Sequence, residues 1–187
     1  MALLPITLYG DKILRKKVSP VKEVELKTIE LIKNMFDTMH NANGVGLAAN
    51  QVGADKSIFI VDISKVEGHE DSKPMIFINP EIMERSEKLR IIEEGCLSIP
   101  DIRVEVERPE SITITYKDTD LEVHTLKAEN LLARVIQHEF DHVQGILFID
   151  RIKEEVRKKL KKELNRIKKR KMEVEYPITE NVDYELM

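Results

Sequence analysis

Apolar positions along this chain recur with two different periods, and the switches between them mark out its elements. Between residues 22 and 42, Ile29, Ile32, Met35, Phe36 and Met39 repeat at spacings of three and four, which predicts a helix with those side chains on its buried face. The methionines in it read as core filler. Residues 1–20 have no period and are punctuated by Pro5, Gly10 and Pro20, so they read as irregular or weakly extended. Residues 57–63 and 75–80 are runs of β-branched and aromatic residues that predict strands, the second stopped by Pro80, with a polar surface loop at 64–74 between them. Residues 81–92 predict an extended hairpin arm. Residues 103–107 and 111–116 alternate as strands, and 121–126 return after the Asp118-Thr119-Asp120 turn.

The period then changes to helical. Glu129-Asn130 gives a polar start, Leu131, Leu132, Val135, Ile136 and Phe140 give spacings of three and four, and Gly145 a stop. From 151 to 171, Ile152, Val156, Leu160, Leu164 and Ile167 form the stripe of a basic amphipathic helix. Strands precede the second helix rather than alternating with helices. The predicted fold is therefore α+β, with mixed or antiparallel sheets packed around a central helix. Residues 1–171 read as a single domain and 172–187 as an acidic C-terminal tail; the sequence leaves open whether that tail packs along the domain.

Composition adds bounds. With 187 residues, 42% apolar and 34% charged, the chain has the size and make-up of one globular domain with a real core. The net charge of −4 selects no partner, but its distribution is uneven. Residues 151–171 hold twelve basic residues against three acidic ones, while 172–187 hold five acidic and no basic residues. A basic face of that density attracts phosphate backbones. No apolar run approaches the ~18–20 residues of a membrane span, and the N-terminus has no signal-peptide pattern. The expectation is a cytoplasmic protein with no membrane partner and no DNA partner. Cys96 is the single cysteine, so no internal disulfide forms, in keeping with a reducing compartment.

The chemistry concentrates in Gln137-His138-Glu139-Phe140-Asp141-His142. On a helix, His138 and His142 lie one turn apart and roughly 40° apart in projection, so both imidazoles reach one metal ion. Glu139 sits beside the same face, placed to act as a general base. The competing reading is a pair of satisfied core histidines. Catalytic sites of this type carry a third ligand. Downstream, Glu154, Glu155 and Glu163 look like solvated surface of the basic helix, and no histidine follows His142. Cys96, within Glu94-Gly95-Cys96-Leu97-Ser98-Ile99-Pro100, is the remaining candidate, although a lone cysteine is most often an inert buried residue. A third unusual stretch, Gly44-Val45-Gly46-Leu47-Ala48-Ala49-Asn50-Gln51, has two closely spaced glycines that suggest a turn and a close backbone approach. It lacks the third glycine of a dinucleotide fingerprint and the Gly-Lys-Ser/Thr of a P-loop.

Taken in order, residues 44–51, 94–98 and 137–142 resemble the three motifs of the peptide deformylases. The resemblance spans about residues 5 to 165. One departure is Asn50, where many members carry Pro or Thr. The resemblance implies that Cys96, His138 and His142 hold one divalent metal ion, Fe²⁺ in the native family enzyme and often Zn²⁺ or Ni²⁺ in preparations. It implies that Glu139 moves the proton of the attacking water to the leaving amine, and that the Gln51 amide and the Leu97 N–H stabilise the oxyanion. The substrates it implies are N-formylmethionyl nascent peptides, and it points to the basic helix 151–171 as an element that docks on the ribosome. Val45, Ile92, Leu131 and Val135 match the pocket for the methionine side chain, and Gly46 and Gly95 offer backbone pairing. Arg134 either rims that pocket or is a surface arginine, and Glu94 is expected to brace the Cys96 segment through Arg103 or Arg108. Two alternatives stand beside this. Another H-E-x-x-H metallopeptidase needs a third ligand beyond His142. A non-catalytic ribosome-binding relative predicts a damaged site, whereas Gln51, Cys96, Leu97, His138, Glu139 and His142 are all present.

Overall fold

The computed structural model describes residues 2–180; the acidic positions Asp183 and Glu185 lie outside the described residues. Strands β1 (Gly46–Ala48), β2 (Ile58–Val61), β3 (Met75–Arg85), β6 (Ser111–Lys117) and β7 (Val123–Glu129) form one antiparallel sheet in the order β1-β2-β3-β6-β7. Strands β4 (Leu89–Cys96) and β5 (Ile99–Pro109) form a second, two-stranded antiparallel sheet. The helices are α1 (Leu26–Asn41), α2 (Asn130–Val143), α3 (Glu154–Lys159) and α4 (Lys161–Lys168). The architecture is α+β with antiparallel sheets, as the element pattern led us to expect. No helix among the described residues is long and apolar enough to cross a membrane.

Strand β2 shows how the core is divided. All four of its residues are buried, because both of its faces are covered. Phe59 and Val61 pack with Ala133, Val135 and Ile136 of α2. Ile58 and Ile60 pack with Leu31, Ile32, Met35 and Met39 of α1. Helix α2 is thus wedged against the five-stranded sheet on the side away from α1. A third cluster joins the small sheet, through Ile99, Ile102 and Val106, to the N-terminal segment and to Leu164 and Ile167 of α4.

Several expectations are corrected. On α1 the buried face holds Thr28, Leu31, Ile32, Met35, Thr38 and Met39, while Ile29 is 43% exposed. Strand β3 does not stop at Pro80. A register shift between Ile78 and Glu81, with Asn79 at φ 49, absorbs the missing N–H. Residues 81–92 are not a hairpin arm either: β3 pairs with β6, and β4 pairs with β5 in the other sheet. Residues 46–52 form strand β1 and a short 3-10 turn rather than only a glycine turn. The basic segment is two short helices meeting at Leu160, not one helix over 151–171.

Residues 172–180 pack on the domain. The Ile6 N–H donates to the Pro177 carbonyl (2.9 Å), and the Thr179 N–H donates to the Ile6 carbonyl (3.0 Å). Buried Asp11 accepts from Thr179 Oγ1 (2.9 Å) and pairs with Arg170.

Candidate active site

Helix α2 starts at Asn130 and ends where Gly145, at φ 74, reverses the chain against the Arg15 backbone. A Cβ at Gly145 would lie 2.7 Å from the Arg15 carbonyl oxygen, so only glycine fits there. Within the helix, the i, i+4 spacing sets His138 and His142 edge to face with ring centroids 5.1 Å apart. The turn between β4 and β5 brings Cys96 to the same point, its Sγ 3.2 Å from His142 Nε2. Ligand atoms of Cys96, His138 and His142 all lie within 4.8 Å of one another. This donor set, one soft sulfur and two imidazole nitrogens, is the kind that zinc and ferrous ions accept.

The surroundings fit a cation. The Glu94 carboxylate meets His138 Nδ1 (2.9 Å), which leaves the other ring nitrogen for a ligand. Burial opposes a charge on His138, yet the Cys96 sulfur and Glu94 push its pKa well up; the cluster draws in positive charge, a need that a divalent ion meets. Burial and neighbouring His138 push His142 down, keeping its ring in the neutral form that can donate a lone pair.

Glu139 is buried, and its Oε2 has no hydrogen-bond partner among the described residues. Burial pushes this carboxyl up to about 7, close to where a group that both takes and returns a proton works best. Gly46 is what makes room for it. A Cβ at Gly46 would fall 2.5 Å from Glu139 Oε1 and 2.8 Å from its Cγ. We therefore expect Gly46→Ala to displace the carboxylate and lower kcat by about 10²-fold, given the cost of ångström-scale misplacement, with full metal content. Paired kinetics and metal analysis check this; unchanged kcat would show that Glu139 tolerates the shift.

Gln51 sits beside the cluster. Its Oε1 accepts the Ala48 N–H (2.8 Å), which turns Nε2 toward Ser98 Oγ (3.1 Å) and Cys96 Sγ (3.4 Å). Gln51, Leu97, His138 and Glu139 line one cleft of about 920 Å³. Val45, Gly46, Ile92, Gly95, Leu131 and Val135 line the same cleft. Arg134 also lines it but is no surface arginine: it is buried, and donates to Glu94 Oε1 (2.8 Å) and to the Val106 carbonyl (2.8 Å). Glu94 pairs with Arg108 (2.6 and 2.9 Å), not with Arg103, which faces Glu93 at 3.9 Å.

Asp141 and Arg151 had no role assigned from the sequence. Arg108 bridges Glu94 and Asp141 (2.7 Å), and Asp141 in turn holds Arg151 (2.6 Å), so a charge chain, buried except at Arg151, runs behind the three donors. Burial works against ionisation of Glu94, but His138 and Arg108 more than offset it and hold that carboxyl well below the usual range. Replacing Arg108 by Met would take the shared guanidinium from two buried carboxylates, leaving Glu94 to His138 and Arg134 and Asp141 to the half-exposed Arg151, and we expect a loss of about 3 kcal/mol in denaturant unfolding. A loss under about 1 kcal/mol would show that water replaces the guanidinium. Asn50, the departure from the family pattern, donates from Nδ2 to the His142 carbonyl (2.6 Å) and so ties the 3-10 turn to the end of α2. Among the other histidines, His40 pairs with Asp62 and His124 with Asp118. His124, Asp118 and Glu122 form a second potential ligand group, on a partly exposed turn.

A family model described as polypeptide deformylase matches residues 3–158. The peptide deformylase of Chlorobium phaeobacteroides is 44% identical over 181 residues, covering 97% of each chain. That of Chlorobium phaeovibrioides is 46% identical over 176 residues, 94% of this chain and 92% of the relative. Among solved structures, peptide deformylase from Thermotoga maritima superposes with a TM-score of 0.76 at 40% identity, over 82% of this chain and 99% of that one. Arabidopsis thaliana peptide deformylase 1B, solved with an inhibitor, gives 0.83 at 35% identity, over 90% and 92%. Nothing in these matches favours a different H-E-x-x-H peptidase or a non-catalytic relative. The chain belongs to the polypeptide deformylase family and is, like its members, an enzyme.

Proposed function

We propose that this protein hydrolyses the formyl C–N bond of N-formylmethionyl nascent peptides, using one divalent ion held by Cys96, His138 and His142. The observation that carries the reading is the convergence of those three donors beside a buried glutamate with an unpartnered oxygen, at one cleft. When bound, the ion supplies Lewis acidity and an activated water; Fe²⁺ is the proposed native ion, with Zn²⁺ or Ni²⁺ able to take its place. Glu139 accepts the proton of the attacking water and returns it to the departing amine. The formyl carbon leaves as formate, and the methionine nitrogen leaves as a free amine. The Gln51 amide and the Leu97 N–H donate to the oxygen on which negative charge develops.

Substrate binding follows from the cleft's lining. Val45, Ile92, Leu131 and Val135 give the methionine side chain an apolar pocket. Strand β1 is an edge strand, so Gly46 offers backbone groups on its open side to an extended peptide, with Gly95 of β4 across the cleft. Arg134 serves by holding Glu94 and the β4–β5 sheet, not by meeting the substrate. Residues 1–171 act as one catalytic unit in this reading, working in the cytoplasm on chains that emerge from ribosomes.

The selectivity test uses paired peptides. Metal-loaded protein should hydrolyse formyl-Met-Ala-Ser and leave acetyl-Met-Ala-Ser intact. Equal hydrolysis of both would point to a general amidase.

The basic C-terminal helices support a ribosome-binding role. Lys158, Lys159, Lys161, Lys162, Arg166 and Lys169 are exposed, whereas Arg151 and Arg170 are committed to Asp141 and Asp11. Co-sedimentation with ribosomes should be seen at low salt and fall steeply as salt rises, through counterion release. Binding that ignores salt, or none at low salt, would leave α3 and α4 a packing role only.

A further inference from the structure

The turn that carries Leu97 is weakly specified by its own strands. Leu97 and Ser98 connect β4 to β5, with Cys96 paired to Ile99 across the turn. Two-residue hairpin turns favour glycine or asparagine, which accept the left-handed backbone that matches strand twist. Neither residue type is present, and neither Leu97 nor Ser98 has a positive φ. The ladder beside the turn is irregular too. Its register slips between Gly95, paired with Arg103, and Cys96, and Asp101 stands at φ 64.

Three hydrogen bonds from distant parts of the chain hold the turn in place. The Tyr9 N–H donates to the Ser98 carbonyl (2.8 Å), and Gln51 Nε2 donates to Ser98 Oγ (3.1 Å). The Tyr176 hydroxyl donates to the Leu97 carbonyl (2.8 Å). Of the three, only that of Tyr176 falls on Leu97. In the proposed reaction the Leu97 N–H donates to the oxygen that gains negative charge. Its direction is set by the torsions on either side of the Leu97 Cα, so a hydrogen bond on the carbonyl restrains the N–H across that atom.

Tyr176 is itself anchored, in the extended segment after α4. The Ile6 N–H donates to the neighbouring Pro177 carbonyl, and Thr179 Oγ1 donates to buried Asp11. The Tyr176 ring packs with the third core cluster beside Met172 and Ile178. The hydroxyl is thus carried by a segment tied to the N-terminus and does not depend on the β4–β5 hairpin it restrains.

We propose that Tyr176 is a positioning residue for deformylation, its hydroxyl pinning the Leu97 peptide so that the Leu97 N–H points at the oxyanion. The inference rests on the deformylase reading and extends the catalytic unit past residue 171, beyond all three motifs. Removing a whole oxyanion donor costs about 10²–10³ in kcat. Losing only its alignment costs less, about tenfold. The contact to the oxyanion strengthens as charge develops, so the loss falls in kcat and not in KM.

The test measures kcat and KM for formyl-Met-Ala-Ser with full-length, metal-loaded wild type, Tyr176→Phe and Thr179→Val, each corrected for metal content and folded fraction. Tyr176→Phe keeps the ring and its packing and removes only the hydroxyl. Thr179→Val weakens the hold on Asp11 but leaves the Tyr176 hydrogen bond in place, so it controls for loosening alone. In the Zn²⁺ form, the amide NMR signal of Ser98, whose N–H shares a peptide plane with the Leu97 carbonyl, reports that hydrogen bond directly. We expect Tyr176→Phe to lose about tenfold in kcat with KM within about twofold, full metal content and a displaced Ser98 signal. Thr179→Val should keep kcat within about twofold and leave that signal in place. A Tyr176→Phe enzyme with near-wild-type kcat overturns the proposal, as does an equal fall in Thr179→Val, a loss of metal, or a loss carried by KM. Each of these leaves the deformylase reading standing. A fully loaded wild type that hydrolyses no formyl-Met peptide brings down both.

Discussion

A Glu139→Gln enzyme should bind its metal ion in full and turn over formyl-Met peptides about 10²–10⁴-fold more slowly than the wild type. The substitution keeps the side chain's size and its place against Gly46. It removes only the ability to take a proton from water and give it to the amine. The buried, unpartnered Oε2 and a carboxyl pushed up to about 7 are what this role requires. The measurement is kcat beside metal stoichiometry. Near-wild-type kcat would remove Glu139 from the proton transfer, and loss of metal with loss of activity would make it a ligand instead.

Removing Cys96 should have an equally large effect by a different route. Cys96→Ala leaves two imidazoles, one donor short of the three that such sites use. The variant should lose stoichiometric metal, and activity should fall with the metal content. Cys96 is only half-buried, at the end of β4, so the circular dichroism spectrum should be retained. A thiolate on ferrous iron is also open to oxidation, so the Fe²⁺ form should lose activity in air while a Ni²⁺ form lasts longer. Stoichiometric metal in Cys96→Ala would contradict the ligand assignment outright.

How far the chain could be read in advance depended on whether a feature was local. His138, Glu139 and His142 sit within five residues on one helix, and helical geometry alone puts both rings on one ion. Cys96 lies 42 positions before His138 in sequence, so its convergence with the histidines rests on the β4–β5 turn; in the sequence it stood only as the candidate left by elimination and as a match to the family motif. The charge chain behind the three donors was harder still. Glu94 was matched to Arg108 only as one of two choices, and Asp141 and Arg151 look in sequence like any solvated charges. Their roles come from tertiary pairing, of buried Asp141 with Arg108 and Arg151, that no local pattern records. Arg134 shows the same limit, since its place on α2 says nothing of the carbonyls waiting for it at Arg90 and Val106.

The misread strands have a physical cause as well. Pro80 breaks a regular ladder, but a bulge at Asn79 lets β3 continue past it, and tertiary pairing with β6 outweighs the local stop. The end of the chain did carry a signal. Met172, Val174, Tyr176 and Ile178 alternate with Glu173, Glu175, Pro177 and Thr179, a two-residue period hidden under an acidic composition. In the structure Met172, Tyr176 and Ile178 pack on the core, and residues 173–176 together line the cleft.

The most direct test of the whole account is formate release. Protein purified without oxygen and loaded with Fe²⁺ should release one formate for each formyl-Met-Ala-Ser consumed. Activity should vanish on chelation and return on adding Fe²⁺ or Ni²⁺. Loaded protein with full metal occupancy that releases no formate from any formyl-Met peptide would contradict the assignment of this site.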